Sequence, residues 1–463
     1  MTVEERIRSR KIGMIGMARS GMAAARLALE GGGLPFVSDN GSEEKLTAQC
    51  HELTNLGVPF ETGGHSERLL ECDYLVISPG VPLTVEMIAR ARQKGIPVFS
   101  ELEFASWLCK GRMVAVTGSN GKTTTTTLIG EILTAAGFDT HVCGNIGRPL
   151  AEVVGRTNRD SVVVVEVSSF QLETISEFRP FVATILNLTP DHIDRHGSFE
   201  EYKKAKYRVT ENQSDKDVLI LNREDRETIA DNPATKAQRI YFSAVSRTDC
   251  ETWVEDGSLW TRVNDQPRPV IKVDDIAIKG PHNLQNAATA VAVARQFDVD
   301  LKTMARVLRA FPGVEHRLEK TGSVAGVEFI NDSKATNVDS VCYALRSMTR
   351  PTWLILGGRD KAGDFRPIIE AGRDHIKGIV AVGEAREKIF AVLGKAFPTQ
   401  FAETLEKAVT LCFELALPGE TVLLSPGCAS FDQFENYEHR GRVFKTAVAS
   451  LRNGKNSDEI VSG

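Results

Sequence analysis

The residues that most directly suggest chemistry are Lys122 and Thr123, in the stretch MVAVTGSNGKTTTTTLIGEIL at 113–133. It reads as a strand, a glycine turn and a helix. At such a junction the first helical N–H groups lack intrahelical acceptors and carry the positive end of the helix dipole, which suits an anion. Lys122 adds a charge that can reach a terminal phosphate, and Thr123 adds a hydroxyl for magnesium. The common phosphate-loop spacing G-x-x-x-x-G-K-[ST] is not met, because Val116 stands five before Gly121 and the nearest earlier glycine is Gly118. Read alone, the stretch is also compatible with a glycine turn and a surface lysine. Glu166 adds weight to the phosphate reading. It ends the apolar run VVVVE, where an acid can hold a nucleotide's metal, although an acid at a strand end can also simply face water.

Three successive α/β regions are expected to position these groups. In residues 1–101, KIGMIG, LPFVSDN, DYLVISPG and IPVFS read as strands, with helices such as MAAARLALE between them. Residues 102–312 hold the phosphate stretch and the runs SVVVVEV and FVATILNL, apolar enough to be buried on both faces of a parallel sheet. The more polar part at 222–280 reads as a small antiparallel sheet added to that core. Residues 313–463 follow a Pro312–Gly313 break and repeat the strand-then-helix alternation in VEFINDS, TWLILGG, GIVAVG and TVLLSPG. The run of five threonines after Lys122 is a poor helix former, so packing or ligand contact must compensate.

The composition is ordinary for globular domains. Of 463 residues, 42% are hydrophobic and 25% charged, with a formal net charge of −5, which argues against a dedicated nucleic-acid surface. No apolar run approaches the roughly 20 residues of a membrane span. Eight scattered cysteines form no C-x-x-C pair, as expected of reduced thiols in a cytoplasm.

Seven motifs occur in order: TGSNGKTTT, EVSSFQLE, NLTPDHIDRHGSFEEYKKAK, GPHNLQNAATA, HRLE, NDSKATN and SPGCASFDQFENYEHRG. Together they resemble the ATP-dependent Mur ligases of peptidoglycan synthesis, over nearly the whole chain from Lys11 to Arg442. The family's loop resembles TG[ST]NGK[ST], so Val116 is no defect. The resemblance implies a three-domain fold: a Rossmann-like N-terminal domain, a central P-loop-type ATPase domain and a Rossmann-like C-terminal domain. It implies addition of D-glutamate to UDP-N-acetylmuramoyl-L-alanine through an acyl phosphate, in a cytoplasmic monomer whose partners are small molecules. A sister Mur ligase or a folylpolyglutamate-synthase-like enzyme is the nearest alternative. The DNPR-type motif of the members that add a diaminoacid is absent.

Site residues follow from the same resemblance. Gly118, Asn120, Gly121, Lys122, Thr123, Thr124, Asn283, Arg317 and Asp332 would contact ATP. Thr123 and Glu166 would hold one magnesium ion and His192 a second. Lys206 would be a carbamylated lysine supporting the metal region. Asn145, Ser168 and Gln171 would lie near the muramoyl substrate. Thr336, Lys361, Ser430, Phe431 and Tyr437 would receive the incoming glutamate. Each has a plainer reading: His192 as a turn histidine, Lys206 as one of three lysines on a solvated helix, Asp332 or Ser430 as a helix cap, Lys361 as a loop charge, Phe431 as packing.

The first region holds GMARSG at 16–21, one residue short of G-x-G-x-x-G because Ala18 replaces the second glycine. Asp39 lies where a ribose-binding acid would sit, which keeps an NAD-linked oxidoreductase in view. That reading leaves the phosphate stretch unexplained; a nucleotide-gated binding protein with no ligation would account for the stretch, and ATP consumption only in the presence of both other substrates would rule against it. The resemblance instead makes this region the dock for a uridine diphosphate, with Arg19, Ser20, Asp39, Asn40, Ser78 and Gly80 as contacts.

Overall fold

The computed structural model describes residues 3–145, 147–245, 249–360 and 363–461. Among them, three sheets follow one another along the chain. The first has β1 (Lys11–Ile15), β2 (Leu34–Ser38), β3 (Phe60–Glu61), β4 (Tyr74–Ile77) and β5 (Val98–Ser100), in the order β3-β2-β1-β4-β5. Every pairing is parallel. The order reverses between β2 and β4 on either side of β1, so a crevice opens at the carboxyl ends of these strands. The helix after β1 spans Arg19–Glu30 and starts three residues before the expected MAAARLALE.

The second sheet has nine strands: β6 (Arg112–Thr117), β7 (Thr140–Gly144), β8 (Val162–Glu166), β9 (Val182–Ile185), β10 (Val218–Asn222), β11 (Gln238–Phe242), β12 (Thr252–Glu255), β13 (Ser258–Val263) and β14 (Gln266–Lys272). Their order is β14-β13-β12-β11-β10-β9-β6-β8-β7. Val162 to Val165 are fully buried, as a strand covered on both faces requires. The antiparallel strands β12 to β14 are the small antiparallel addition expected at 222–280, and they are not a sheet apart. They continue the central one, because Phe242 of β11 pairs in parallel with Thr252 of β12.

The third sheet comprises β15 (Glu319–Val324), β16 (Val327–Asn331), β17 (Thr352–Gly357), β18 (Ile376–Val382), β19 (Thr399–Phe401) and β20 (Thr421–Leu424). The order is β15-β16-β20-β17-β18-β19, parallel except for the β15–β16 hairpin. By contacts the chain divides into two compact units. One holds the first two sheets and residues 285–310; the other holds residues 277–284 and everything from Phe311 onward.

Within the first unit, Glu103 ties the short helix Glu101–Ser106 to the central sheet's surroundings. Its buried carboxylate accepts from the backbone N–H groups of Ser176, Glu177 and Phe178 at 2.8–2.9 Å, and from Trp107 Nε1 at 2.8 Å. All eight cysteines are free thiols. No described helix is long and apolar enough to cross a membrane.

Candidate active site

The phosphate stretch folds as its residues suggest. β6 ends at Thr117, Gly118 and Gly121 take positive φ of 141° and 84°, and a helix runs from Lys122 to Ala135. Gly121 has no room for a side chain, since a Cβ there would lie 2.4 Å from Asn286 Oδ1. The threonines are paid back by packing. Thr123 to Thr126 are buried, and Thr125 Oγ1 donates to Asn286 Oδ1 at 3.1 Å. Asn187 braces the loop from the next strand: its Oδ1 accepts from Asn120 N at 2.8 Å and its Nδ2 donates to Asn120 O at 3.1 Å. Lys122 Nζ folds back on the loop and donates to the carbonyls of Gly118 and Ser119 at 2.9 and 2.8 Å.

Around this loop further polar groups gather at the carboxyl ends of the interior strands β6 and β8. β8 pairs with β6 so that Glu166 is opposite Val116, and Glu166 is 1% exposed. Its Oε1 accepts from Asn145 Nδ2 at 3.1 Å. Lys206 is 1% exposed, which excludes the solvated-helix reading, and its Nζ lies 3.3 Å from Thr117 Oγ1. On the same helix Lys204 is exposed, while Lys203 is bonded to Glu200, Glu227 and Asp231. Burial, with Lys122 nearby, holds the Lys206 amine well below the usual lysine range, against the pull of Asp191 and Glu166. A neutral amine is nucleophilic and can add carbon dioxide. His192 has φ 53° at the start of the turn Ile193–His196, with its ring edge-on to Phe170 at 4.8 Å.

A cleft of about 430 Å³ in the same unit is lined by Arg19, Ser20, Asp39, Ser78, Gly80, Asn145 and Gln171, among others. Seven of the nine residues expected to face the UDP-substrate thus come together, drawn from the first two sheets. Asn40 and Ser168 are not in its lining. Ser168 instead caps the helix Ser169–Leu172 in a capping box with Gln171. Asp39 is engaged with its own loops, accepting from Met17 N at 2.6 Å and Gly41 N at 2.7 Å. Arg19 Nη1 donates to Gly147 O at 3.1 Å.

The second unit holds the remaining candidates. Asn283 and Arg317 line a cavity of about 610 Å³. Asp332 is fully buried and does not cap the helix Val338–Arg346, which Asn337 caps. It accepts from Leu318 N at 3.2 Å and Ser425 Oγ at 2.9 Å, with Arg317 3.9 Å away. Burial pushes its carboxyl up to about 6 in spite of Arg317. Thr336, Ser430, Phe431 and Tyr437 follow β16 and β20, neighbours in the sheet. Ser430 is buried, whereas Phe431 is 62% exposed and so serves no packing. Arg440 fixes these segments to each other, donating to Ser333 Oγ and O at 3.0 and 2.8 Å and to Cys428 O at 3.1 Å. Lys361 lies outside the described residues.

Asn187, Asn286 and Arg440 were not singled out from the sequence, although each stands inside a motif quoted above. Their partners are main-chain groups or residues far along the chain, and nothing in local spacing marks them.

Comparison with known proteins gives three family matches: a Mur ligase MurD-like N-terminal domain at residues 10–100, a Mur ligase middle domain at 116–294 and a Mur ligase glutamate ligase domain at 316–428. The chain is 42% identical over 446 residues to a UDP-N-acetylmuramoylalanine--D-glutamate ligase of Koribacter versatilis, covering 96% of this chain and 98% of the relative. It is 41% identical over 462 residues to the ligase of the same name from Salinibacter ruber, covering 97% and 100%. Among solved structures, the UDP-N-acetylmuramate-alanine ligase of Thermotoga maritima superposes with a TM-score of 0.61 at 19% identity, covering 95% of this chain and 99% of that one. That last likeness establishes the three-domain fold.

Proposed function

The chain belongs to the Mur ligase family, and from that premise we propose that it joins D-glutamate to UDP-N-acetylmuramoyl-L-alanine, with ADP and phosphate released, as a step of peptidoglycan synthesis. It is an ATP-dependent ligase that forms an amide bond between small-molecule substrates. The observation that carries the chemical reading is the gathering, at the carboxyl ends of β6 and β8, of the Gly118–Lys122 loop, the buried Glu166 and the buried Lys206 beside a cleft whose Asn145 touches Glu166. The choice of D-glutamate rests on the near-full-length relatives.

A carboxylate resists attack by an amine, so it must first be activated. In our reading the γ-phosphoryl of ATP passes to the L-alanine carboxylate. The amine of D-glutamate then attacks that carbonyl, loses a proton and expels phosphate. Both steps concentrate negative charge, which Lys122 and the loop amides meet with fixed positive charge. To do so, Lys122 leaves the carbonyls of Gly118 and Ser119 when phosphate arrives. Thr124 follows in the helix start, and Asn120 holds the loop's shape through Asn187.

The hydroxyl of Thr123 and the buried carboxylate of Glu166 are oxygen donors of the kind magnesium takes and would hold one ion, while His192, with Lys206 as a carbamate, would serve a second. Two such ions, when bound, would offset charge on the transferring phosphoryl. The depressed basicity of Lys206 supports carbamylation, since only the neutral amine adds carbon dioxide. We assign residues 1–101 to the UDP-substrate, 102–312 to ATP and 313–463 to the amino acid. Asn283, Arg317 and Asp332 would serve the nucleotide; Thr336, Lys361, Ser430, Phe431 and Tyr437 would serve the two carboxylates and stem of glutamate. Asn40 and Ser168 remain substrate contacts in this reading only if the bound ligand extends beyond the cleft. We further assign the enzyme to the cytoplasm, as a monomer.

The deciding experiment follows phosphate release with ATP, magnesium and UDP-N-acetylmuramoyl-L-alanine against a panel of L- and D-amino acids. Release with D-glutamate alone is expected. Preference for another amino acid would move the chain to a sister ligase, and ATP turnover without ligated product would end the reading.

A further inference from the structure

Arg195 stands three residues after His192 and makes contacts that the ligation chemistry does not call on. Its Nη1 donates to Pro79 O at 2.8 Å and its Nη2 to Val81 O at 3.1 Å. Both carbonyls belong to the turn that lines the cleft beside Ser78 and Gly80. The guanidinium also lies 3.7 Å from the centroid of the Phe170 ring, with Glu173 Oε2 3.7 Å from Nη2. It is therefore a three-sided joint, fixed by two acceptors, one aromatic face and one carboxylate. Such a planar fork cannot be replaced by the point charge of lysine.

From Phe170 the contacts run in two directions. The ring meets His192 edge-on at 4.8 Å and stacks on His196 at 5.3 Å with an interplanar angle of 17°. His196 is itself locked, Nε2 by Ser169 Oγ at 2.9 Å and Nδ1 by Glu173 Oε1 at 3.2 Å, and it packs against Tyr202 at 5.4 Å. The Tyr202 hydroxyl in turn lies 2.9 Å from Ser119 Oγ in the phosphate loop. One arginine thus stands between the first sheet's turn and both the His192 ring and the loop that grips phosphate. Ser169 is 2% exposed, so the Ser169–His196–Glu173 chain is a brace and not a nucleophile.

We propose that Arg195 is a positioning residue that couples occupation of the UDP-substrate cleft to metal binding at His192: a substrate that presses on the Ser78–Val81 turn shifts the guanidinium hydrogen-bonded to it, and through Phe170 the imidazole. The proposal rests on the assignments of the cleft and of His192 made above. Coupling of this kind is reciprocal, so it can be read from either ligand.

The test titrates Mn²⁺ into the full-length protein by electron paramagnetic resonance, with a non-hydrolysable ATP analogue present throughout, with and without saturating UDP-N-acetylmuramoyl-L-alanine. In the wild type the substrate is expected to tighten Mn²⁺ binding by about fivefold or more, a common size for coupling between sites. In Arg195→Met the ratio is expected to fall below about twofold, with Arg195→Lys restoring little of it. A merely structural role would weaken both ligands and leave the ratio unchanged, and that result in a folded Arg195→Met or Arg195→Lys protein would overturn the proposal. A wild type with no coupling would overturn it equally. Arg19→Ala separates the two readings: if it bound the UDP-substrate as tightly as the wild type, the cleft assignment would fall, and this proposal with it. Weakened substrate binding in Arg19→Ala beside an unchanged ratio in Arg195→Met would remove only the role of Arg195.

Discussion

The Nζ of Lys206 lies 3.3 Å from Oγ1 of Thr117, the last residue of the strand that delivers the phosphate loop. Thr117 Oγ1 also donates to Val167 O at 2.8 Å, one residue beyond Glu166. The amine is thus fixed between the loop and the buried acid. Desolvation holds its basicity well below the usual lysine range, which favours the neutral form that takes up carbon dioxide. Lys206→Ala is expected to fold normally and lose about a thousandfold in turnover, a loss typical of removing an electrostatic group from a site. Stripping dissolved carbon dioxide from wild-type assays is expected to slow them, and bicarbonate to restore the rate. Full activity of the alanine variant at saturating substrates would remove Lys206 from the site.

Lys122 spends its three donors partly on its own loop, at Gly118 O and Ser119 O. Those bonds are local and replaceable, so the side chain is not needed to hold the fold. Lys122→Ala is expected to keep the wild-type melting temperature within a few degrees and to lose ligation by about a thousandfold or more, since a full charge at the developing phosphate charge is absent. Lys122→Arg tests whether charge alone suffices. Peptide-bond formation at the normal pace in Lys122→Ala would refute the phosphate-loop reading.

How far the sequence reveals the site follows from where each residue's partners lie. Lys122 and Glu166 are legible because type and position coincide: a lysine after a glycine turn, an acid ending an apolar strand. The strands VVVVE, VATI and TWLILG are legible because they are mostly apolar. The burial of Lys206 is not. FEEYKKAKY offers three lysines with no local difference between them, and only packing against Thr117 and Tyr202 distinguishes one. The attachment of β12 to β11 is equally hidden, since it depends on a single cross-strand pair after a polar loop. Asn187 and Glu103 act on backbone N–H groups 67 and 73 or more residues away, and a backbone donor leaves no mark in a sequence. The motif resemblance supplied Lys206; nothing supplied Glu103.

Glu103 supports a stability prediction of its own. Its carboxylate satisfies three consecutive backbone donors, Ser176 to Phe178, besides the Trp107 indole. Truncation leaves those donors without acceptors, at about 1–3 kcal/mol for each one that stays buried. Glu103→Ala is expected to lower the melting temperature sharply or to prevent accumulation of folded protein. Glu103→Gln keeps one carbonyl oxygen and is expected to fall between. Thermal unfolding of the three proteins checks the order, and an alanine variant as stable as the glutamine one would contradict it.

Glu101, two residues earlier, predicts the opposite pH behaviour from a salt-bridged acid. It is fully buried; Oε1 accepts from Ala151 N at 2.7 Å, and Oε2 has no hydrogen-bond partner among the described residues. Burial pushes its carboxyl up to about 7, against the Ala151 N–H and with help from Glu152. Between about pH 4.5 and 7 the folded protein therefore holds a proton that the unfolded chain has released. The unfolded state binds fewer protons there, so this group's contribution makes stability fall as pH rises through that window, and the full cost persists above it. Glu101→Gln is neutral at every pH and its carbonyl can still accept from Ala151. Relative to the wild type it is expected to be nearly unchanged at pH 4.5 and more stable at pH 8, by on the order of 1–3 kcal/mol. Asp332, with its carboxyl pushed up to about 6, adds a slope of the same sign, but it is common to both proteins and cancels in the difference. Denaturant unfolding of the pair at several pH values gives the result directly, and a difference that did not grow between pH 4.5 and 8 would show that Glu101 is ionised in the folded state.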